Sequence, residues 1–173
     1  RLGADVSFAP RLNFAACLGA VHALHEMTGL TFHTKWPNDV LLGGGKIAGL
    51  LAETVTQGGF VGLVLGLGVN LNLDPETLAT IDQPATSLSA RSGAPVDVNQ
   101  FRDAVLEDFF SRYDEFLATG FHMIRGEYLG RCPFIGTHVE IRRGGEIIRG
   151  RAHGVTPAPT GTVGAEVRRP PAL

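Results

Sequence analysis

Three consecutive glycines, Gly43, Gly44 and Gly45, interrupt sequence that reads as extended chain on both sides. Asp39-Val40-Leu41-Leu42 precedes them, and the run from Lys46 to Val55 follows. A backbone reversing within so few residues needs positive φ, which glycine adopts without steric penalty, so the segment predicts a tight β-hairpin. The hairpin excludes the phosphate loop that Gly-Gly-Lys first suggests. Such a loop needs glycine at position 40 and Ser or Thr at 47, where the sequence has Val40 and Ile47, and it needs a helix that is not there. The glycines at 66 and 68 fail as a dinucleotide fingerprint too, because Leu71 stands where the third glycine belongs.

A lone Gly-Gly-Lys turn is most simply a hairpin with incidental charge. Its surroundings argue for more. Lys35-Trp36-Pro37-Asn38-Asp39 precedes the hairpin, so the chain's single Trp and its only two lysines, Lys35 and Lys46, fall within one short segment. Trp-Pro-Asn-Asp presents a stiff bend with an amide and a carboxylate at a strand end, and Lys46 lies across the hairpin from them. Asn70 ends the apolar run 59–73 and adds another amide. Convergent polar groups in an apolar setting are the general form of a small-molecule site.

The remaining pattern places this segment in an α+β fold. Apolar spacing predicts a helix over 10–28, stopped by Gly29, then strands over 30–36, 39–42 and 46–55. The run 59–73, rich in Leu and Val, reads as a central strand. Residues 74–95 read as a polar loop with a short helical turn, and helices follow over 99–119 and 121–129. From Pro133 short alternating strands around Gly144-Gly145 suggest a small β-barrel. The Pro-rich stretch from Thr156 is barely patterned, and its end is expected to be poorly ordered. No internal repeat is visible.

Bulk properties narrow the function classes. A net charge of −2 over 173 residues supplies no electrostatic attraction to nucleic acid or an acidic membrane. Arg142, Arg143, Arg149 and Arg151 alternate with Glu140 and Glu146, which fits a charged hairpin face. His22 and His25 share a helix with no third ligand placed by sequence, so no metal site is expected. Cys17 lies on the apolar stripe of its helix, predicting a buried reduced thiol. With neither a signal peptide nor a membrane-length apolar run, a cytoplasmic location and no membrane partner are expected.

Lys35-Trp-Pro-Asn-Asp39, then Gly43 to Glu53 (GGGKIAGLLAE), then Gly66 to Asn72 (GLGVNLN) closely resemble biotin protein ligases in order and spacing. The resemblance implies a catalytic core akin to class II aminoacyl-tRNA synthetases, a mixed sheet backed by helices, over 1–131, and a small SH3-like β-domain over 132–173. It implies ATP-dependent formation of biotinyl-5′-AMP and transfer of biotin to a lysine of a biotin carboxyl carrier protein domain. Biotin and ATP are then substrates, with Mg²⁺, and a homodimer is admitted. The alternatives are a lipoate-type ligase on a common fold, or a non-catalytic remnant acting as a binding module.

By the same resemblance Lys46 bridges carboxylate and phosphate oxygens, and Asp39 orients the incoming amine. Gly49, Leu51 and Gly66 lie against biotin with Lys46, while Asn38, Val69 and Asn70 contact the nucleotide. Trp36 is expected to pack, Lys35 to be a peripheral anion contact or a strand-end charge, and Thr86-Ser87 to be a nucleotide-side loop or a helix cap. The family's Gly-Arg-Gly-Arg loop is not among the 173 residues. With no initial Met, the chain reads as a fragment expected to bind biotin weakly by itself. No helix-turn-helix is present to suggest a repressor, and the residues after Val155 lack the strands expected to close the β-domain.

Overall fold

The structure, a computed structural model, describes residues 9–58, 60–143, 145–157 and 163–168. Helix α1 (Ala9–Thr28) leads into strands β1 (His33–Lys35), β2 (Asp39–Leu42), β3 (Gly45–Gln57) and β4 (Phe60–Val69). Two short helices, α2 (Pro75–Ala79) and α3 (Leu88–Ser92), precede the long α4 (Val98–Thr119) and then α5 (Phe121–Gly130). Strands β5 (His138–Arg143), β6 (Glu146–Pro157) and β7 (Val163–Arg168) complete the order.

The first sheet has the order β1-β2-β3-β4, antiparallel along its strands, and gains parallel pairing at one bridge between Lys46 and Ala85. The expected central strand over 59–73 is shorter and stands last in this order. Apolar composition is met here by one face of β4 packing against α1 and the core, whatever its place in the sheet. The expected strand over 30–36 contracts to β1, and the loop over 74–95 contains two capped helices. In the first, Asp74 accepts from Thr77 N.

α1 is the centre of the core. Leu12, Leu18, Val21 and Leu24 are buried on it, against Val40, Ile47 and Leu50 of the sheet and Val105 of α4. Each such side chain contributes about 1.5–3 kcal/mol on leaving water. Phe14 packs its ring 5.3 Å from Phe121 and 4.4 Å from Tyr128, drawing α5 onto α1. Thr34 of β1 donates its hydroxyl to the Tyr128 carbonyl at 2.8 Å, and its N–H to the Arg131 carbonyl at 3.0 Å, so the end of α5 holds β1. Polar contacts lock the same helices. Arg112 reaches Asp108 on its own helix and Glu127 on α5, and His22 of α1 lies 3.0 Å from Asp108. His25 meets the Leu30 carbonyl at 2.9 Å, so both helix histidines have local partners.

The second sheet, β5-β6-β7, is antiparallel. Glu140 is paired with Arg142 and Arg149, each at 2.8 Å, and these partners pull its carboxyl below the usual range. This is the charged hairpin face expected from the alternation. The expectation that no strand follows Val155 is corrected: β6 runs on to Pro157, and β7 pairs with it from Arg151 to Pro157. The expectation for the chain's end beyond 168 lies outside the described residues. None of the described helices is long and apolar enough to cross a membrane.

Candidate active site

The hairpin is built as its glycines require, with Gly43 and Gly44 at φ of 57° and 84°. Its register carries the main structural fact of the site. Leu42 pairs with Gly45 and Leu41 with Lys46, yet Val40 pairs with Ala48 and Asp39 with Gly49. One extra residue, Ile47, is therefore accommodated in β3 as a bulge between Val40 and Leu41. Side chains alternate along a strand, so in a regular β3 of the same residues Lys46, three positions before Gly49, would point to the face opposite Asp39. The bulge turns it back. The Lys46 Nζ lies 2.6 Å from Asp39 Oδ1, and Lys35 Nζ lies 3.9 Å from Asp39 Oδ2.

Burial gives that pair its weight. The Asp39 side chain is 13% exposed and that of Lys46 29%, so the carboxylate is largely desolvated and the ammonium faces outward over it. Gly49 makes the approach feasible: a Cβ there would lie 3.0 Å from Lys46 Cε and 3.1 Å from Nζ. Gly49 pairs with Gly68, and two positions along, Leu51 pairs with Gly66. Cross-strand partners share a face, so Asp39, Gly49, Gly68, Leu51 and Gly66 form one platform away from α1. Leu51 is exposed on it, as is Val64.

A cleft of about 450 Å³ opens over one end of this platform, lined by Lys46, Gly49, Gly68, Val69 and Asn70, with Ile81, Gln83 and Ala85 from the following loop. Lys46, Gly49, Val69 and Asn70 line the cleft together, and Asp39 stands outside its lining, joined to it through Lys46. Leu51 and Gly66 share the face but lie outside the cleft lining. Asn38 is engaged with the chain itself: its Nδ2 donates to the Leu50 carbonyl, whose residue's N–H returns a bond to the Asn38 carbonyl at 2.9 Å. Asn70 likewise donates Nδ2 to the Thr86 carbonyl at 3.1 Å, and its N–H bonds the Ile47 carbonyl at 2.8 Å. The amide with no evident packing purpose in the sequence fastens the bulge to the loop.

Sequence reasoning missed that loop. Pro84 accepts from Lys46 N at 2.8 Å and Lys46 accepts from Thr86 N at 3.0 Å, which fixes the backbone of the lysine from the side opposite Asp39. Thr86-Ser87 was the only signal. Of its two readings, the cap is realised at Ser87, whose hydroxyl accepts from Ala90 N at 3.3 Å. Trp36 packs against the core, as expected. Among the described residues no group of three or more His, Cys, Asp or Glu gathers to hold a metal.

Cys17 lies beneath the site, its Sγ 4.0 Å from the Asp39 carbonyl. Burial pushes its thiol up strongly, and the Asp39 carboxylate adds to this. Only the thiolate attacks disulfide reagents, so Cys17 is expected to stay unlabelled by Ellman's reagent at about pH 8 in the native protein and to react once unfolded. Peptide mapping after native labelling checks this; rapid native modification of Cys17 would contradict it.

Residues 6–70 match the family described as "Biotin/lipoate A/B protein ligase family". The biotin--[acetyl-CoA-carboxylase] ligase of Paracoccus denitrificans is 37% identical over 142 residues, covering 79% of this chain and 59% of that protein. The bifunctional ligase/repressor BirA of Bacillus subtilis is 30% identical over 148 residues, covering 84% of this chain and 46% of that protein. The chain thus spans about half the length of the curated relatives it matches. The crystal structure of the Aquifex aeolicus biotin protein ligase superposes with a TM-score of 0.78 at 26% identity, covering 94% of this chain and 68% of that one. The chain belongs to the biotin protein ligase family.

Proposed function

We propose that this site activates biotin with ATP to biotinyl-5′-AMP and passes the biotinyl group to a lysine of a biotin carboxyl carrier protein domain. The observation that carries the reading is the Lys46 ammonium, held over Asp39 at 2.6 Å on the glycine-lined platform. The first step brings a carboxylate onto a phosphate, and two anions meet only if a fixed cation offsets their repulsion. Lys46 supplies that charge, and its backbone is held by Pro84 and Thr86 so that it need not reorganise during reaction. Gly49, Gly66 and Leu51 would lie under biotin, while Val69, Asn70 and Asn38 would border the nucleotide. Asp39 would then align the acceptor amine and take a proton from it.

The names of relatives support this reading: the Paracoccus denitrificans protein is a biotin--[acetyl-CoA-carboxylase] ligase. The Aquifex ligase has been solved in complex with biotin and ATP. Asp39 is the carboxylate of the site and is already engaged by two lysines. Mg²⁺ would therefore be held chiefly by the phosphate oxygens of ATP, its usual partners, and enter with the nucleotide. On this reading residues 1–131 would belong to the catalytic core and 132–173 to the small SH3-like β-domain, and the protein would act in the cytoplasm.

The test is biotin-dependent exchange of pyrophosphate into ATP, followed by avidin blotting of a carrier domain, in a protein carrying these 173 residues. Exchange driven by lipoate and not by biotin would overturn the substrate assignment. Gly49 provides a sharper check. Gly49→Ala pushes against the flexible end of Lys46 and not against backbone, so the thermal midpoint should barely move. Displacing a reacting group by about 1 Å costs on the order of a hundredfold, so the exchange rate should fall by about tenfold or more. An unchanged rate would show that Lys46 works from another position.

A further inference from the structure

We propose that Gln83 selects the nucleotide base, its side-chain amide pairing with the exocyclic amine of adenine and the ring nitrogen beside it. The inference rests on the function assigned above and names a residue that sets its nucleotide preference. Among the described residues lining the cleft, three carry polar side chains: Lys46, Asn70 and Gln83. Lys46 is a cation held on Asp39 at 2.6 Å, suited to anions and not to a neutral base. Asn70 donates Nδ2 to the Thr86 carbonyl at 3.1 Å and reaches the Lys46 carbonyl at 3.5 Å, so its N–H groups are turned into the fold. Gln83 is exposed, and among the described residues no hydrogen bond occupies its amide.

Adenine presents an exocyclic N–H donor beside a ring nitrogen that accepts, and an amide offers its carbonyl and N–H at matching separation. Such a pair needs one amide with both groups free, and Gln83 keeps both. Its surroundings suit the rest of the base. Val69 and Ile81 stand in the same lining and supply apolar surface for a planar ring. The backbone next to Gln83 is pinned as well. The Pro84 carbonyl accepts from Lys46 N at 2.8 Å, which ties the position of the amide to that of the cation assigned to the phosphates.

The experiment measures biotin-dependent exchange of labelled pyrophosphate into ATP and into purine riboside 5′-triphosphate, which lacks the exocyclic amine. Both are used below saturation, so that rates report kcat/KM, with the parent and with Gln83→Met, which keeps side-chain length and removes the amide. Because Gln83 is exposed, the parent's preference for ATP is expected at about tenfold, toward the lower end for an amide paired with a base. Loss of that preference in Gln83→Met, by a fall of the ATP rate to that of the analogue, supports the proposal. A preference that survives in Gln83→Met assigns the amine to another group and overturns it. Equal loss with both nucleotides would mark a structural role, and a parent without preference would mean that nothing pairs with the amine. Either result overturns the proposal and leaves the ligase reading intact. Absence of exchange in the parent with both nucleotides removes the ligase reading together with this one.

Discussion

Replacing Lys46 with alanine is expected to lower biotin-dependent ATP–pyrophosphate exchange at least about a hundredfold, the scale on which a preorganised charge stabilises a transition state. The variant loses the cation and leaves Asp39 largely buried beside Lys35 alone, at 3.9 Å. Two effects therefore act together: the anions meet without neutralisation, and a carboxylate left with only its distant Lys35 partner adds its own repulsion. Lys46→Arg separates them. It restores charge, but its planar fork does not reproduce a compact ammonium over Gly49, so partial recovery is expected. Near-normal exchange by Lys46→Ala would remove the residue from the chemistry.

Tyr128→Ala should destabilise the fold by about 3–5 kcal/mol, the cost of emptying a large buried aromatic site. Tyr128 is fully buried and meets Phe14 at 4.4 Å, and its backbone carbonyl receives the Thr34 hydroxyl. The side chain thus seats α5 against α1 close to where α5 fixes β1, the strand that ends at Lys35. Tyr128→Phe keeps the ring and should cost far less. Urea denaturation of both variants decides the matter; equal stability of Tyr128→Ala and the parent would show that the site collapses without loss.

How much of this was legible in the sequence depends on the range of the interaction. The hairpin was readable because positive φ at Gly43 and Gly44 is a local demand that the residue type announces. The helices over 9–28 and 98–119 were readable for the same reason, their apolar spacing being written within each segment. The convergence of Lys46 on Asp39 could be guessed from the hairpin and from the family resemblance, but not its cause. The bulge at Ile47 leaves no mark in composition, since Ile suits a regular strand equally well. The grip of Pro84 and Thr86 on Lys46 spans about forty residues and joins backbone groups, which every residue possesses. Strand β7 escaped because Val163 to Arg168 is brief and follows proline and glycine, which signal turns; its partner β6 supplies the order that its own sequence does not announce.

The bulge also bears on how such a chain can change over generations. A residue gained or lost at Gly43 or Gly44 alters only the length of an exposed reversal, and the strands can keep their pairing. Inserting one residue into β2 opposite Ile47 restores perfect alternation along both strands and swings the ammonium to the helix-covered side, the side of Leu50. Hydrophobicity, charge and residue types would be almost unchanged, and the cation would be in the wrong compartment. Along this strand the inheritance that matters is a count, and insertions or deletions, more than substitutions, are the events that lineages of this protein must avoid.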